Sequence, residues 1–531
     1  MQDFCAYGLK LIITNATQYS DIDNNGKWVP YNKGGEFRKW YGNNDNVIRF
    51  DKDSRNEMSK QQGHVRPSQD LYFKEGGTWT AVGVGKFGMR YYPSGFLFDA
   101  GGQIAVGNDI ESCMAYMNSK VFMCIAQITM PTINFKCGVI KNLPDLRIQD
   151  VNIHKLVKSN ISISKTDWDN HETSWNFKTN GLLEIKKELS SNSVKELQTI
   201  HKEKWLDNYR KLKQNEEAIN KLFILHYGLQ DELTPDVPLD EVTILQQGEI
   251  SIEKEKTEDG SKEEEKIIWH DDVIIKQFIS YLVGCFMGRY SVDKPGLIIA
   301  NQHQDLSSLN LQVDGIENSP RSTLSIDDDG IVPIIQESDF FADDMTERIQ
   351  LAIKTLFGEE QYYENMKYIE QTIGKPLRDY LYKDYYADHQ QMYSVKGAKR
   401  PIYWLFSSRM GDKHKKGYFK ALVYMHRMEA DTLSKLHADY VHPYINKVEQ
   451  QLREAEEETL RDDLTQAQRN HALKLVNELK EKVKEVKEFE QELVEMASHR
   501  LTIDLDDGVK VNYPKFYPLV EPIKGLECEK K

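Results

Sequence analysis

The chain has 531 residues, 40% apolar and 29% charged, with a formal net charge of −14 at pH 7. This length predicts about three domains with ample material for buried cores. The longest apolar stretches, such as 121–128, are far too short to span a bilayer, and residues 1–3 lack the basic region that starts a secretion signal. Six cysteines without a C-x-x-C pair favour reduced thiols over disulfides or a zinc site. We therefore expect a cytoplasmic protein that does not enter a membrane.

The segment 27–43, K-W-V-P-Y-N-K-G-G-E-F-R-K-W-Y-G-N, places cations and aromatic rings in a region rich in turn residues. Lys and Arg bind phosphate oxygens, amide and guanidinium forks bind base edges, and a Gly-Gly pair lets the backbone approach a ligand closely. Two further blocks follow, T-W-T-A-V-G-V-G-K-F-G-M-R-Y-Y-P-S-G-F-L-F-D at 78–99 and N-F-K-C-G-V-I-K-N-L-P at 134–144. Such composition indicates nucleic acid as the partner.

Glycine, aromatic and β-favouring residues dominate the first 150 positions, where turn signals such as Gly76-Gly77 separate short runs. We predict strands and long loops here, a short helix over 110–127, and a strand over 134–144.

Gly83, Gly85 and Gly88 spell G-x-G-x-x-G after a strand-like run. A cofactor site would need a helix to begin there, with its N-terminus directed at the ligand. The following residues, 89–93, have the pattern of a strand and a turn. We therefore predict a flexible loop that presents Lys86 and Arg90.

The pattern becomes helical in the middle of the chain. Apolar residues recur at helical spacing over 195–226, and a linker begins at 234. The charged low-complexity run 253–266 predicts an exposed loop or disordered insertion. A buried helix is predicted over 273–288 and a further helix over 347–357.

Two long helices are predicted over 432–458 and 464–496, with apolar residues at steps of three and four among Lys and Glu. The charged break at 461–463 predicts that they fold back into an antiparallel hairpin. An intramolecular strut is at least as good an interpretation as a partner-binding arm, because a heptad-like stripe is normally a packing seam.

Other candidate chemistry is weak. His437 and His442 are five residues apart, so on one regular helix they face different sides and make a poor metal pair. The acidic runs 327–330 and 504–507 invite a calcium or a nuclease interpretation. We predict a turn for each, the second between two strands at 501–505 and 509–513.

The net charge of −14 does not exclude DNA binding, because basic residues cluster locally. Between 27 and 98 there are 12 basic and 7 acidic residues, and 396–420 holds 8 basic residues opposed by Asp412 alone. Binding a polyanion needs a local patch and tolerates an acidic remainder. A solvated face remains the alternative interpretation of the second cluster.

The three blocks, in this order, resemble the target-recognition region of the BREX-type adenine-specific DNA methyltransferases known as PglX. Further blocks resemble the carboxy-terminal half of that family, among them H-E-T-S-W-N-F at 171–177, G-R-Y-S-V-D-K-P-G-L at 288–297 and K-R-P-I-Y-W-L-F-S-S at 399–408. No Pro-Pro occurs, so the Asn/Asp-Pro-Pro-aromatic motif of methyl transfer is absent from this chain. We expect the recognition half without the catalytic half, as a truncation, a separate specificity subunit or a swappable cassette.

The resemblance implies that the complete enzyme transfers a methyl group from S-adenosylmethionine to N6 of adenine in a short asymmetric site, which marks host DNA as self. We expect no cofactor and no metal on this chain, and as partners double-stranded DNA and the methyltransferase catalytic half or other BREX proteins. Cations would bind phosphate or guanine, asparagines would read adenine edges, and tryptophans would stack, wedge or, as we favour for each, fill the core. The cations are Lys27, Lys33, Arg38, Lys39, Lys86 and Arg90, the asparagines are Asn32, Asn43 and Asn44, and the tryptophans are Trp28, Trp40 and Trp79.

The predicted fold class is α+β, a mixed β-rich recognition domain followed by a mainly helical region with a long antiparallel hairpin. The predicted segments are a recognition domain at 1–150, a helical spacer at 151–235, an α+β domain at 236–430, the hairpin at 431–500 and a short β turn with a tail at 501–531. Two alternatives stay open at this point. One is a defence-complex scaffold with nonspecific DNA binding, and the other is an enzyme, either a nuclease or a methyltransferase.

Overall fold

The computed structural model describes residues 2–3, 12–66, 68–83, 85–130, 134–256, 263–317, 319–395, 397–461 and 463–526. They form two compact units. The N-terminal unit contains 12–189 and 196–274, and the C-terminal unit contains 190–195 and 275–526. Helices and small mixed or antiparallel sheets occur in both units, so the predicted α+β class is confirmed. Within the described residues, no helix is both long and apolar enough to cross a membrane.

The described residues of the N-terminal unit form two four-stranded sheets and a ribbon, with strand orders β1-β4-β2-β7, β3-β6-β5-β8 and β9-β10. The strands are β1 (Gln2–Asp3), β2 (Trp28–Asn32), β3 (Trp40–Tyr41), β4 (Asn46–Arg49), β5 (Gly76–Thr80), β6 (Arg90–Tyr92), β7 (Leu97–Phe98), β8 (Gly102–Ala105), β9 (Ile250–Lys256) and β10 (Glu263–Trp269). The two larger sheets meet at Gly102, where a Cβ atom would lie 2.3 Å from the carbonyl oxygen of Asn32. Only glycine allows this approach.

The helices of the N-terminal unit are α1 (Tyr19–Asn25), α2 (Lys52–Ser59), α3 (Ile110–Met117), α4 (Lys120–Thr129), α5 (Cys137–Ile140), α6 (Val151–Asp169), α7 (Gly181–Leu189) and α8 (Val194–His226). The helix predicted over 195–226 is confirmed as α8. The single helix predicted over 110–127 is wrong, because the Ser119 hydroxyl caps a second helix by accepting the Phe122 N–H at 3.2 Å. The strand predicted over 134–144 is also wrong, since only Asn134 makes an isolated bridge and α5 follows.

One hydrophobic core extends through the N-terminal unit across position 150. Trp40, Trp79 and Phe87 from the β-rich segment share this core with Trp205 and Tyr209 of α8. The sheet that contains β3 and β5 is therefore buried against helices that follow it in sequence, whereas Val29 of β2 and Leu97 of β7 lie in a separate core with Ile22 and Phe50. Removing those helices would expose the aromatic rings to water.

The C-terminal unit contains most of α9 (Asp271–Phe286) and an antiparallel sheet with strand order β11-β15-β14. Its strands are β11 (Ile331–Pro333), β12 (Ser394–Val395), β13 (Ala398–Lys399), β14 (Tyr403–Ser407) and β15 (Lys420–Tyr424). Its further helices are α10 (Met345–Phe357), α11 (Glu359–Ile373), α12 (Leu377–Lys383), α13 (Tyr385–Met392), α14 (Thr432–Lys435), α15 (His442–Thr459), α16 (Gln466–Ser498) and α17 (Gly508–Asn512). The strands predicted at 501–505 and 509–513 are wrong, because a 3-10 turn and α17 occupy this region.

α15 and α16 form the predicted antiparallel hairpin. Glu449 pairs with Lys487 at 2.5 Å and Glu456 with Lys480 at 2.8 Å, so residue numbers rise along one helix as they fall along the other.

Between α14 and α15 the helix contains one turn of π-helix, Leu436–Val441. Pro443 accounts for this turn, since proline has no N–H and its ring clashes with the carbonyl that an α-helical bond would use. In a π-turn the hydrogen bond links residues five apart, and the His442 N–H donates to the His437 carbonyl. The prediction that these histidines face different sides is therefore wrong.

Candidate nucleic-acid interface

A cleft of about 310 Å³ in the N-terminal unit brings the first two sequence blocks together. The first block contributes Gly35, Glu36, Phe37 and Arg38, and the second contributes Thr80, Val82, Gly83, Lys86, Phe87, Gly88 and Arg90. Thr80 joins the two blocks, because its hydroxyl donates to the Gly35 carbonyl at 3.0 Å and accepts the Gly35 N–H at 3.1 Å. At Gly88 a Cβ atom would lie 2.4 Å from the Arg38 carbonyl oxygen, so glycine is required there.

Lys86 carries the cation that reaches solvent at this cleft. Its side chain is 38% exposed, and its ammonium lies 5.5 Å from the centre of the Phe37 ring. The same ammonium is 3.3 Å from a carboxylate oxygen of Asp240 and 3.9 Å from one of Glu241. An exposed pair of this kind contributes little stability, so another anion can replace the two carboxylates.

Arg38 and Lys39 lie in the interior. The Arg38 guanidinium donates to Asp167 at 3.1 Å and lies 5.0 Å from the centre of the Trp168 ring. Lys39 forms an ion pair with Glu216, and both side chains are almost fully buried. These acids lie on α6 and α8, so the two cations bind the β-rich segment to the helices that follow it.

Arg90 on β6 is 2% exposed and forms part of the wall of the cleft. Its guanidinium donates to the Arg38 carbonyl at 3.4 Å, and its Nε has no hydrogen-bond partner among the described residues. Loss of hydration, together with the nearby charge of Arg38, lowers the pKa of Arg90 to about 10.

The tryptophans are buried, as we expected for each of them. Trp28 and Trp40 are at most 2% exposed, and the Trp79 indole donates to the Phe135 carbonyl at 2.7 Å. Asn32 and Asn44 are also buried. None of these five side chains can reach DNA in this conformation.

The side chains of Lys27, Lys33 and Asn43 are half-buried. The Asn43 amide donates to the Glu36 carbonyl at 2.9 Å, which places Asn43 beside the cleft. Phe37 is half-buried at the same place, although it was not among the predicted contact residues. The sequence pattern that could have indicated Phe37 is an aromatic ring between an acid and two cations in the run Glu36 to Lys39.

The G-x-G-x-x-G run leads into β6 rather than a helix, as predicted. Gly85 has a φ of +75° and open space around it. The third block lies behind this loop, since the Phe135 ring packs 5.2 Å from the Phe87 ring. The run therefore lacks the helix N-terminus that a phosphate or dinucleotide site would use.

Part of the second basic cluster contacts α16. Lys415 pairs with Glu488 at 2.7 Å, and the Glu485 carboxylate accepts the backbone N–H groups of Lys416, Gly417 and Tyr418 at 2.8 to 3.0 Å. Lys396 lies outside the described residues. These contacts hold the part of the cluster at 415–418 against α16.

Three sets of side chains bring potential metal ligands within 4.8 Å of one another in the described residues: Asp109 with Glu111 and His154, the aspartates 327–329, and His437 with His442 and Glu490. The run 327–330 is a turn, as predicted, since Asp327 accepts the backbone N–H groups of Asp329 and Gly330. Asp504 likewise caps a 3-10 turn by accepting the Asp506 N–H at 2.9 Å.

No protein-family model matches the chain. It is 35% identical over 523 residues to "Adenine-specific methyltransferase BrxX" of Escherichia coli O9:H4 (strain HS), which covers 94% of this chain and 40% of that protein. It is 33% identical over 514 residues to "Adenine-specific methyltransferase PglX" of Lacticaseibacillus casei (strain Zhang), covering 93% of this chain and 39% of that protein. The chain spans about two-fifths of the length of these curated relatives. Nearly all of it is therefore similar to part of two adenine-specific methyltransferases.

Proposed function

We propose that the N-terminal unit is the sequence-reading portion of a BREX-type N6-adenine DNA methyltransferase. It selects the methylation site, while the residues that bind S-adenosylmethionine and transfer the methyl group lie outside this chain. The observation that carries the proposal is the cleft, which joins two cation-rich and aromatic blocks in a chain similar to adenine-specific methyltransferases. The partners in this proposal are double-stranded DNA and either the methyl-transfer half or another BREX protein.

The accessible side chains divide into three roles. Lys27, Lys33 and Lys86 bind phosphate or guanine, because an ammonium binds these acceptors without strict geometry. Asn43 reads an adenine edge, for which an amide has the required donor and acceptor. Phe37 stacks on or wedges beside a base at the mouth of the cleft.

The predicted contact residues that are buried take a positioning role. Arg38 and Lys39 hold β3 against α6 and α8 through their acids, and Arg90 supports the Arg38 backbone. Trp28, Asn32 and Trp40 belong to the interior on which the exposed loop is built. Changing these residues would alter DNA binding through the fold of the unit.

Binding of DNA at Lys86 exchanges one anion for another. Asp240 and Glu241 hold the ammonium over Phe37 in the free chain, and a phosphate would displace them. Asp240→Asn therefore raises DNA affinity, because it removes the competing charge. The same substitution should not change the contribution of Lys86 to the salt dependence of DNA binding.

The test is selection of the purified chain on a randomised duplex library at moderate salt, followed by sequencing of the retained DNA. We expect a short asymmetric motif that contains adenine. Lys86→Ala should weaken binding and lower the salt slope by about one unit, whereas Phe37→Ala should weaken the motif preference. Lys60→Ala is the matched control, because Lys60 is exposed at the end of α2 and does not line the cleft.

Retention that falls steeply with salt and yields no enriched motif would contradict the proposal and favour nonspecific DNA binding by a scaffold. The absence of any retention would also contradict it. Equal losses in the Lys86→Ala and Lys60→Ala variants would show that the cleft is not the contact surface.

A further inference from the structure

The base of the helical hairpin carries a group of side chains that the DNA-reading function does not use. His437 lies in the π-turn, His442 begins α15, and Glu490 lies on α16. Glu490 Oε1 is 3.0 Å from His437 Nε2 and 3.2 Å from His442 Nδ1. Two imidazoles therefore converge on one carboxylate oxygen.

The π-turn creates this convergence. On a regular α-helix, residues five apart are separated by about 140° around the axis. The π-helical hydrogen bond from His442 N–H to the His437 carbonyl brings the two residues to the same side, and their ring centres are 5.9 Å apart. Single π-turns inside α-helices are frequent at functional sites.

The spacing and the residue types fit a tetrahedral transition metal. Zinc bonds of about 2.0 to 2.1 Å in tetrahedral geometry separate neighbouring ligand atoms by about 3.3 Å. The two distances at Glu490, 3.0 and 3.2 Å, are close to that separation. Two histidines and a glutamate form a known zinc ligand set that leaves the fourth position open.

The exposure of the three residues allows an ion to enter. The side chains of His442, His437 and Glu490 are 57%, 30% and 21% exposed. The site therefore opens to solvent on the His442 side, and its third ligand comes from the other helix of the hairpin. A bound ion would join α16 to the helix that carries the two histidines.

We propose that His437, His442 and Glu490 bind a divalent transition metal of the zinc class, with the fourth position open to water or to a ligand from a partner. The ion fastens the base of the hairpin and offers an exposed coordination position there. The site is independent of DNA reading, since it lies in the other unit of the chain.

The test uses the untagged, chelator-treated chain titrated with zinc sulfate by calorimetry and with cobalt chloride by visible absorption. We expect one metal ion per chain, a tetrahedral cobalt spectrum without thiolate bands, and a rise in the melting temperature of the C-terminal unit with zinc. His437→Ala and His442→Ala should each weaken zinc binding at least about tenfold, and Glu490→Gln should do the same. His471→Ala is the matched control, because His471 is exposed on α16.

Circular dichroism of each variant checks that the hairpin remains helical. Failure of the native chain to bind zinc at millimolar concentration would overturn the proposal. Unchanged binding in the His437→Ala/His442→Ala double variant would overturn it as well, because the metal would then occupy another site.

Discussion

Glu216 binds two different donors in the interior of the N-terminal unit, and replacing it with glutamine separates their contributions. Its Oε1 accepts the Trp40 indole N–H at 2.7 Å, and its Oε2 pairs with the Lys39 ammonium. The Lys39 and Glu216 side chains are only 5% and 4% exposed. Glutamine keeps the shape and an oxygen for Trp40 but removes the charge that faces Lys39.

The expected loss of stability follows from this burial. Removing one partner of a buried ion pair costs about 3–5 kcal/mol, because the other charge stays in the interior without compensation. We expect Glu216→Gln, and separately Lys39→Met, to lower the free energy of unfolding by about 3 kcal/mol. The double variant contains neither charge and keeps the acceptor for Trp40, so it should recover to within about 1.5 kcal/mol of the native chain.

The assay is urea unfolding followed by tryptophan fluorescence. Seven of the eight tryptophans lie in the N-terminal unit, since Trp404 alone lies in the C-terminal unit, so the signal reports chiefly on the unit that contains Glu216. Additive losses in the double variant would refute the pairing. A normal unfolding curve with weakened DNA binding in Lys39→Met would refute the positioning role and return Lys39 to the DNA surface.

Three further predictions concern packing, pH and a buried carboxylate. Gly88→Ala should destabilise the N-terminal unit by about 1–3 kcal/mol, because the new methyl group would meet the Arg38 carbonyl, whereas Gly107→Ala has open space and should change urea unfolding by less than about 0.5 kcal/mol. Burial and a neighbouring aspartate raise the pKa of Asp329 to about 8. The folded state therefore binds more protons than the unfolded state, so the melting temperature of the C-terminal unit should fall as pH rises from about 4 towards 8, and Asp329→Asn should flatten this slope. Glu485→Gln should lower the free energy of unfolding by about 2 kcal/mol, because three backbone N–H groups lose a charged acceptor. Thermal unfolding followed by circular dichroism measures this loss, and an unchanged unfolding curve would contradict the buried contact.

Features set by local patterns could be predicted from the sequence. The spacing of apolar residues predicts a helix over 195–226, and the observed helix α8 begins one residue earlier, at Val194, and ends at His226. The hairpin also follows from local periodicity and a charged break. The alternation around 501–513 gave the wrong prediction because short apolar runs fit strand and helix equally well.

The burial of Arg38 and Lys39 could not be predicted, because their partners are remote in sequence. Asp167 lies 129 positions after Arg38, and Glu216 lies 177 positions after Lys39. An arginine that binds phosphate and one that pairs with an interior acid look the same in a short window. The convergence of His437 and His442 was not predicted for a different reason. Whether a spacing of five residues places two side chains on the same side depends on the helix type, which the sequence pattern did not reveal.

The ion pairs of Arg38 and Lys39 set the smallest piece of this chain that can be exchanged between related proteins. A graft ending near residue 150 would carry both cations into a new host and leave Asp167 and Glu216 behind. Each cation would then need a host acid at the matching position, or would stay uncompensated at a cost of several kcal/mol. A graft that extends to Leu245, whose backbone N–H binds Asp167, transfers both pairs intact. Under the proposed function, recombination that changes specificity should therefore favour breakpoints beyond α8 over breakpoints at the end of the β-rich segment.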